Sequence, residues 1–285
     1  MKDCCIILNP NARAVARGEV HRRLREAAPE ARLWVTSRAG EAEELAREAV
    51  RLGIDTVVAA GGDGTVNEVL RGVVGAPVRL GVLPVGTMNV FAREHGIPLD
   101  WEEAWHRIRR GTERRVDVGW ANAKPFAQLA GVGLDAEVVA AVGSEAKRWL
   151  GPLAYVAAAM RLVGRPAPSF WVEGEGVAAT RGRWVLVGMG RYYGGAIPVF
   201  PWANPGDGLM DVLVVKDLSI PALASYVAGL PMGWHTRVRG VEYFQTRKLR
   251  VVGDGALELD GEAMGRAPVE FGVSPGVLRL AGFGD

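Results

Sequence analysis

Four short stretches of this 285-residue chain group side chains in ways that chemistry can use. The densest is Gly61-Gly62-Asp63-Gly64-Thr65-Val66-Asn67-Glu68-Val69, directly after the apolar run Thr56–Ala60. Glycines let a main chain approach a ligand closely and adopt positive φ. Thr65 and Glu68 have capping-box spacing, which predicts that Thr65 accepts from the Glu68 N–H while Glu68 reaches back. The loop would then open a helix whose N-terminus is an anion site. Asp63 would repel a phosphate there unless Mg2+ lay between them. The stretch is neither a Walker loop nor a spaced dinucleotide fingerprint, and alone it also fits a structurally capped glycine turn.

The second stretch, Pro84-Val85-Gly86-Thr87-Met88-Asn89-Val90-Phe91-Ala92-Arg93, follows the next apolar run, and Thr87 is placed to cap a helix and donate to a ligand. The third, Asp260-Gly261-Glu262, has two carboxylates two residues apart, on one side if the segment is extended. That suits a general base beside a metal contact, and equally a plain hairpin turn. The fourth, Asn204-Pro205-Gly206-Asp207-Gly208-Leu209-Met210-Asp211, also reads by itself as a hairpin.

These loops need a scaffold. Up to about residue 110, strand-like runs (Cys4–Leu8, Arg32–Thr36, Thr56–Ala60, Arg79–Leu83) alternate with helical ones (Glu19–Ala28, Glu41–Leu52, Val66–Val73, Asn89–His95). That predicts an α/β domain with a parallel sheet. The junctions Asn9–Arg13, Thr36–Gly40, Gly61–Glu68 and Pro84–Asn89 then share the carboxyl edge, where ligands bind. Beyond Arg110 short strands with Gly/Pro turns predict an antiparallel β-sandwich or barrel, Val277–Leu280 among its strands. Two helical segments, Ser144–Val163 and Ile220–Leu230, interrupt it. The expected domains are 1–111 and 112–285, with a ligand site in the cleft between them.

Composition narrows the function. A net charge of +2 gives no dominant handle for nucleic acid, so no nucleic-acid partner is expected. Two adjacent cysteines, Cys4 and Cys5, give neither a disulfide framework nor a metal spacing. The short apolar N-terminus and the lack of a long apolar run predict a cytoplasmic protein without a spanning helix. His21, His95, His106 and His235 share no spacing and read as ordinary surface or helix residues. Arg107, Arg109, Arg110, Arg114 and Arg115 form either a solvated face or a contact for anionic lipid. Ile220–Trp234 either packs on the sandwich or faces a membrane.

The order of these motifs resembles the bacterial diacylglycerol kinase catalytic-domain family, lipid kinases related to sphingosine and ceramide kinases. The resemblance runs from Asn9-Pro10 through Gly61–Val69, Pro84–Arg93, Gly131–Ala136, Gly151–Tyr155, Tyr193–Gly195 and Asp207–Asp211 to Asp260–Glu262. It implies an ATP- and Mg2+-dependent kinase that phosphorylates a hydroxyl of diacylglycerol or a similar neutral lipid. The substrate would be met at the membrane surface by a peripherally associated protein, with a homodimer compatible with the family. The resemblance places ATP at Asn9, Pro10, Asn11, Ala12, Arg13, Thr36, Gly62, Asp63, Gly64, Thr65, Val66, Asn67, Glu68 and Thr87. It makes Glu262 the proton acceptor with Asp260 beside it and Asp63 organising the metal. It puts a structural Mg2+ on Asp207, with main-chain oxygens from Asn204 and Leu209. Two departures stand out: Ala12-Arg13 where the first loop usually ends in Gly, and Val90 where many members have Asp. The rival readings are a small-molecule kinase of the NAD kinase or phosphofructokinase type and a non-enzymatic lipid- or nucleotide-binding protein.

Overall fold

The computed structural model describes residues 3–12, 19–134, 136–137 and 168–283. Arg13, Asp135 and the expected helix Ser144–Val163, with its Gly151–Tyr155 motif, lie outside them. The chain divides into two compact units, Met1–Val118 with Pro275–Asp285, and Gly119–Ser274.

The first unit runs β1 (Cys4–Leu8), α1 (Glu19–Ala27), β2 (Arg32–Val35), α2 (Glu41–Arg51), β3 (Thr56–Gly61), α3 (Asp63–Val73), β4 (Arg79–Pro84), α4 (Val90–His95) and α5 (Trp101–Arg110). Every residue of β1 and β3 is buried, as a parallel strand covered on both faces requires. Strand order is β2-β1-β3-β4, all parallel, so the chain leaves β1 in one direction for β2 and returns to its other side for β3. That reversal is the topological switch point of an open α/β sheet. The register pairs Leu8 with both Val35 and Ala60, and Ala60 with Leu83. Four strands therefore end in one row, and the loops that follow start level with one another.

Helices lie close on this sheet where glycine permits it. A Cβ on Gly72 of α3 would sit 2.5 Å from the Ala46 Cβ of α2, and one on Gly81 of β4 would sit 2.9 Å from Ile108 of α5. Trp105 of α5 also donates from its indole to the Ala27 carbonyl at 3.1 Å, joining α5 to the end of α1.

The last strand, β18 (Val269–Ala281), corrects one expectation. Val277–Leu280 is not a sandwich strand: Arg279 and Leu280 pair in parallel with Arg79 and Leu80 of β4. Its local Val-Leu-Arg-Leu pattern fits either sheet, and only the long-range partner distinguishes them.

The second unit is antiparallel. One sheet orders β14 (Val241–Thr246), β13 (Met210–Val215), β10 (Trp184–Gly188), β7 (Leu129–Gly133), β16 (Ala256–Leu259) and β17 (Glu262–Arg266). The other joins the first part of β18 to β15 (Lys248–Val252), β8 (Phe170–Gly174) and β9 (Thr180–Gly182). Strand β5 (Glu113–Ala121), which begins in the first unit, pairs with β18 and with β6 (Lys124–Phe126), and β11 (Tyr192–Tyr193) pairs with β12 (Ile197–Pro198) as a separate short ribbon. Alternate residues face inward, among them Val185 and Val187, Val212 and Val214, Leu249 and Val251, and Leu257 and Leu259. The outer face of the first sheet is covered by Val199, Phe200 and Tyr226, the last from α6 (Ile220–Gly229).

Glycines make room for rings in this core. Phe170 is fully buried, and a Cβ on Gly133, Gly253 or Gly255 would come within 2.7, 2.8 or 2.3 Å of its ring. The three glycines form a slot that no other residue would leave open. Phe170→Ala should therefore empty a rigid slot and cost about 3–5 kcal/mol of stability. Urea unfolding followed by far-UV circular dichroism would measure it.

Candidate active site

The carboxyl edge of the α/β unit is held together by the first two turns of α3. The helix starts at Asp63, earlier than capping-box spacing predicts, with Gly62 as a cap that offers no side chain. Thr65 and Glu68 therefore do not cap each other. The Thr65 hydroxyl accepts from Asn9 Nδ2 at 3.0 Å, which ties α3 to the loop after β1 across the switch point. Glu68 accepts the main-chain N–H of Gly40 at 2.9 Å and of Ala42 at 3.1 Å, fixing the start of α2. Asp63 accepts the N–H of Phe91 at 3.0 Å, fixing the start of α4. Three polar side chains thus anchor three neighbouring loops.

The fourth contact is between main chains. A Cβ on Gly86 would fall 2.3 Å from Gly62 Cα and 2.8 Å from Asn89 Oδ1. Gly61, Gly62 and Gly64 all keep ordinary φ, so close approach and not positive φ explains the first two. At Gly64 a Cβ would meet nothing, and the residue is exposed. Thr87 does not cap α4. Asn89, at φ 50°, holds that place, and its amide exchanges two hydrogen bonds with the main chain of Gly86 at 3.0 and 3.1 Å. Thr87 itself is exposed.

The remaining residues of this edge have distinct surroundings. Asn9 Oδ1 accepts the Asn11 N–H at 2.9 Å, and Pro10 and Asn11 are exposed. Thr36 is buried and donates to the Leu8 carbonyl at 3.4 Å. Val66 is a core residue. Asn67 is 1% exposed, and neither atom of its amide has a hydrogen-bond partner among the described residues.

The other acidic residues lie in the sandwich unit. Asp260 and Gly261 both have positive φ, 50° and 81°, and join β16 to β17 as a tight hairpin with Leu259 opposite Glu262. The segment is not extended, so strand alternation does not align the two carboxylates. Asp260 instead receives the N–H groups of Ala127, Gln128 and Leu129 at 2.9, 2.9 and 3.0 Å. Glu262 is half-buried at the first position of β17. Glu258 is fully buried one step below the turn and accepts the Gly261 N–H at 2.7 Å. A lone Glu between two leucines gave no sequence signal for that role.

In the loop before β13, Asp207 is exposed and its Oδ1 accepts the Leu209 N–H at 3.0 Å. The Asn204 carbonyl turns inside the same loop, accepting from Gly206 at 2.8 Å and Asp207 at 3.3 Å. Asp211 is buried, receives the Tyr243 hydroxyl, and takes Gln245 Nε2 at 3.2 and 3.3 Å. Burial pushes its carboxyl up to about 6 despite those donors. Of the four histidines two are buried. His95 is pushed down to about 3 by burial and by the Arg114 guanidinium, and His235 bonds through Nε2 to the Val199 carbonyl at 2.8 Å.

A glycine loop and a helix start without a side-chain cap at the switch point of a parallel sheet form the kind of edge at which anionic ligands bind, and an antiparallel sandwich follows in the chain. The family profile of the diacylglycerol kinase catalytic domain matches residues 3–121, and that of the YegS C-terminal NAD kinase beta sandwich-like domain matches residues 129–282. The chain is 32% identical to Diacylglycerol kinase of Bacillus subtilis (strain 168), over 95% of this chain and 93% of that one. It is 35% identical to a Pseudomonas aeruginosa (strain UCBPP-PA14) protein named Probable lipid kinase YegS-like, over 90% and 86%. A crystal structure of a diacylglycerol kinase from Bacillus anthracis str. Sterne matches with a TM-score of 0.80 at 25% identity, over 99% and 97%. The chain belongs to the bacterial lipid-kinase family that these two domains define.

The contact between Gly62 and Gly86 gives a paired test. Gly86→Ala should force two main chains apart and cost about 1–3 kcal/mol, whereas Gly64→Ala should be neutral or slightly stabilising, by up to about 1 kcal/mol. Thermal and urea unfolding of both variants would check the contrast.

Proposed function

We propose that the protein is an ATP- and Mg2+-dependent lipid kinase that transfers a phosphoryl group to a hydroxyl of diacylglycerol or a similar neutral lipid. Family membership makes it an ATP-dependent phosphotransferase acting on a membrane-associated lipid. The observation that best supports a nucleotide at the carboxyl edge is the uncapped start of α3 at the switch point. Its first N–H groups have no acceptor within the helix and point where an anion is favoured. Gly64 supports the same reading, because nothing among the described residues explains a glycine there and a closely approaching phosphate would. ATP would be held by the main chain of Gly62 to Glu68, by the Asn9–Arg13 loop, and by Thr36 and Thr87. The side chains of Thr65 and Glu68, already engaged, would serve by fixing this geometry.

Two places fit Mg2+ by donor chemistry. Asp63 at the nucleotide loop would organise the ion that accompanies ATP. The carboxylate of Asp207 with the carbonyls of Asn204 and Leu209 is an all-oxygen set suited to a hard cation. Bound Mg2+ offsets charge on the transferring phosphoryl group. Among the described residues no cluster of three His, Cys, Asp or Glu side chains could hold a metal, so the second place depends on main-chain oxygens.

Glu262 would accept the proton of the lipid hydroxyl, and Asp260 would act through the turn it fixes. The reading requires Glu262 to reach the γ-phosphate and the acceptor hydroxyl during catalysis. ATP-dependent phosphorylation of diacylglycerol in mixed micelles tests the activity. Glu262→Gln should lower kcat by about 100- to 10,000-fold with little change in ATP affinity. A single-turnover chemical step within about twofold of wild type would remove Glu262 from the mechanism.

Asp207→Ala should remove the response of the melting temperature to added Mg2+, because a ligand of the native state stabilises it by mass action. A Mg2+ response equal to that of wild type would place the structural ion elsewhere.

A further inference from the structure

We infer that the face of the sandwich unit formed by α6, the two 3-10 turns after it and the Ile197–Trp202 segment is the surface on which the protein lies against an anionic bilayer. The choice of a bilayer rests on the lipid-kinase reading; the surface itself rests on what this segment exposes.

Residues 218–241 contain no Asp or Glu, and from Leu218 to Trp234 there is no charged side chain at all. Helix α6 turns Tyr226 and Gly229 inward. Ile220, Ala224 and Val227, spaced i, i+4 and i+7, all face outward, with Ile220 70% and Val227 60% exposed. The solvent side of a helix in a soluble domain normally carries charge, so this stripe is inverted. Met232, at 67%, and Trp234, at 60%, continue it. Pro201 lies beside Gly233, 3.6 Å from where a Cβ would stand, and brings Trp202, 52% exposed, to the same surface. Trp202 is braced edge-on against Tyr243 at 4.9 Å.

Charge at the rim selects the occupant. Trp234–Arg237 is a 3-10 turn, in which residues three apart eclipse, so Trp234 and Arg237 share a side while His235 and Thr236 are buried between them. Arg237 and Arg239 are exposed and make no ion pair among the described residues. The acids that bound the segment are engaged: Asp217 receives the Ser219 N–H at 2.8 Å, and Glu242 pairs with Lys216. A two-fold contact between copies would set this patch against itself, arginine facing arginine with no acid inside the patch. An anionic lipid surface supplies the missing charge, takes the aliphatic side chains and suits tryptophan at headgroup depth. No helix among the described residues is long and apolar enough to cross a membrane, which fits a surface that lies on the bilayer. The Arg107–Arg115 cluster is a poorer match, because Arg107, Arg109, Arg114 and Arg115 bond to Glu103, Glu30, His95 and the Gly276 carbonyl.

Flotation without ATP, using phosphatidylcholine vesicles with and without phosphatidylglycerol, tests the surface independently of kinase activity. Wild type should float with the phosphatidylglycerol vesicles. A Met232→Ser, Trp234→Ser double variant, and separately an Ile220→Ser, Val227→Ser double variant, should each bind about tenfold more weakly or worse. An Arg237→Gln, Arg239→Gln variant should lose about tenfold on phosphatidylglycerol vesicles and much of the salt dependence. Melting temperatures equal to wild type would exclude misfolding, and either serine pair suffices if the other fails to fold. Wild-type flotation by all the folded variants overturns the assignment. So does conversion of a dimer to a monomer by the serine variants with vesicle binding intact, which would give the face to a second copy. Wild-type flotation by a protein that fails to phosphorylate diacylglycerol would leave the surface standing and remove the kinase reading.

Discussion

The α/β unit depends on how α3 distributes its polar side chains. Asp63, Thr65 and Glu68 leave the helix in three directions, each meeting a different loop, while Gly62 touches Gly86 directly. A main-chain N–H bound to a carboxylate contributes about 1.5–3 kcal/mol, more than a neutral pair. Three such contacts to Glu68 and Asp63 therefore set the loop geometry before any ligand arrives. The N–H groups at the helix start have no acceptor within the helix itself. Electrostatic stabilisation works best when donors are already aimed at the developing charge and need no reorganisation. Loops held from one helix meet that condition.

A similar economy governs the Asp260-Gly261-Glu262 turn. Both turn residues occupy the left-handed region, and Asp260 is not glycine, so the turn needs support. Three N–H groups from 127–129 and the Glu258 carboxylate provide it. The negative charges beside Glu262 are thus bonded to the frame, and the start of β17 is fixed in direction.

Much of this was legible in the sequence because it is local. Buried runs separated by helical spacing gave the parallel sheet, and parallel strands put their following loops on one edge whatever their order. The glycines announced close approach. What approached what was another matter. Thr65 and Glu68 fit a capping box by spacing, yet Asn9 and Gly40 compete for the same side chains from 56 and 28 residues away. Thr87 looked like a cap, but Asn89 tolerates the left-handed conformation needed there. Asp260 read as a partner of Glu262 on an extended segment, and the hairpin turned it toward a strand that sequence spacing does not reveal. Glu258 was invisible because a single acid in an apolar strand has no periodic signature, and Asp211, read as the end of a turn, gave no sign of its burial against Tyr243 and Gln245. The contacts of Thr65, Glu68 and Asp260 join residues far apart in the chain, which a window of ten residues does not contain, whereas Asn89 bonds Gly86 and Glu258 bonds Gly261 only three residues away, where the left-handed backbone and not distance hid the pairing.

The path of β18 has a consequence for how the molecule is made. Residues 1–118 hold the four parallel strands, but the edge of β4 is closed by Arg279 and Leu280, and Arg279 also pairs with Glu113. The Thr112 carbonyl receives the N–H groups of Gly282 and Phe283. On the ribosome the amino-terminal sheet therefore emerges with a raw edge, open to other strands, and waits through the synthesis of the whole sandwich for its closing piece. Residues translated after the sandwich complete the unit begun before it.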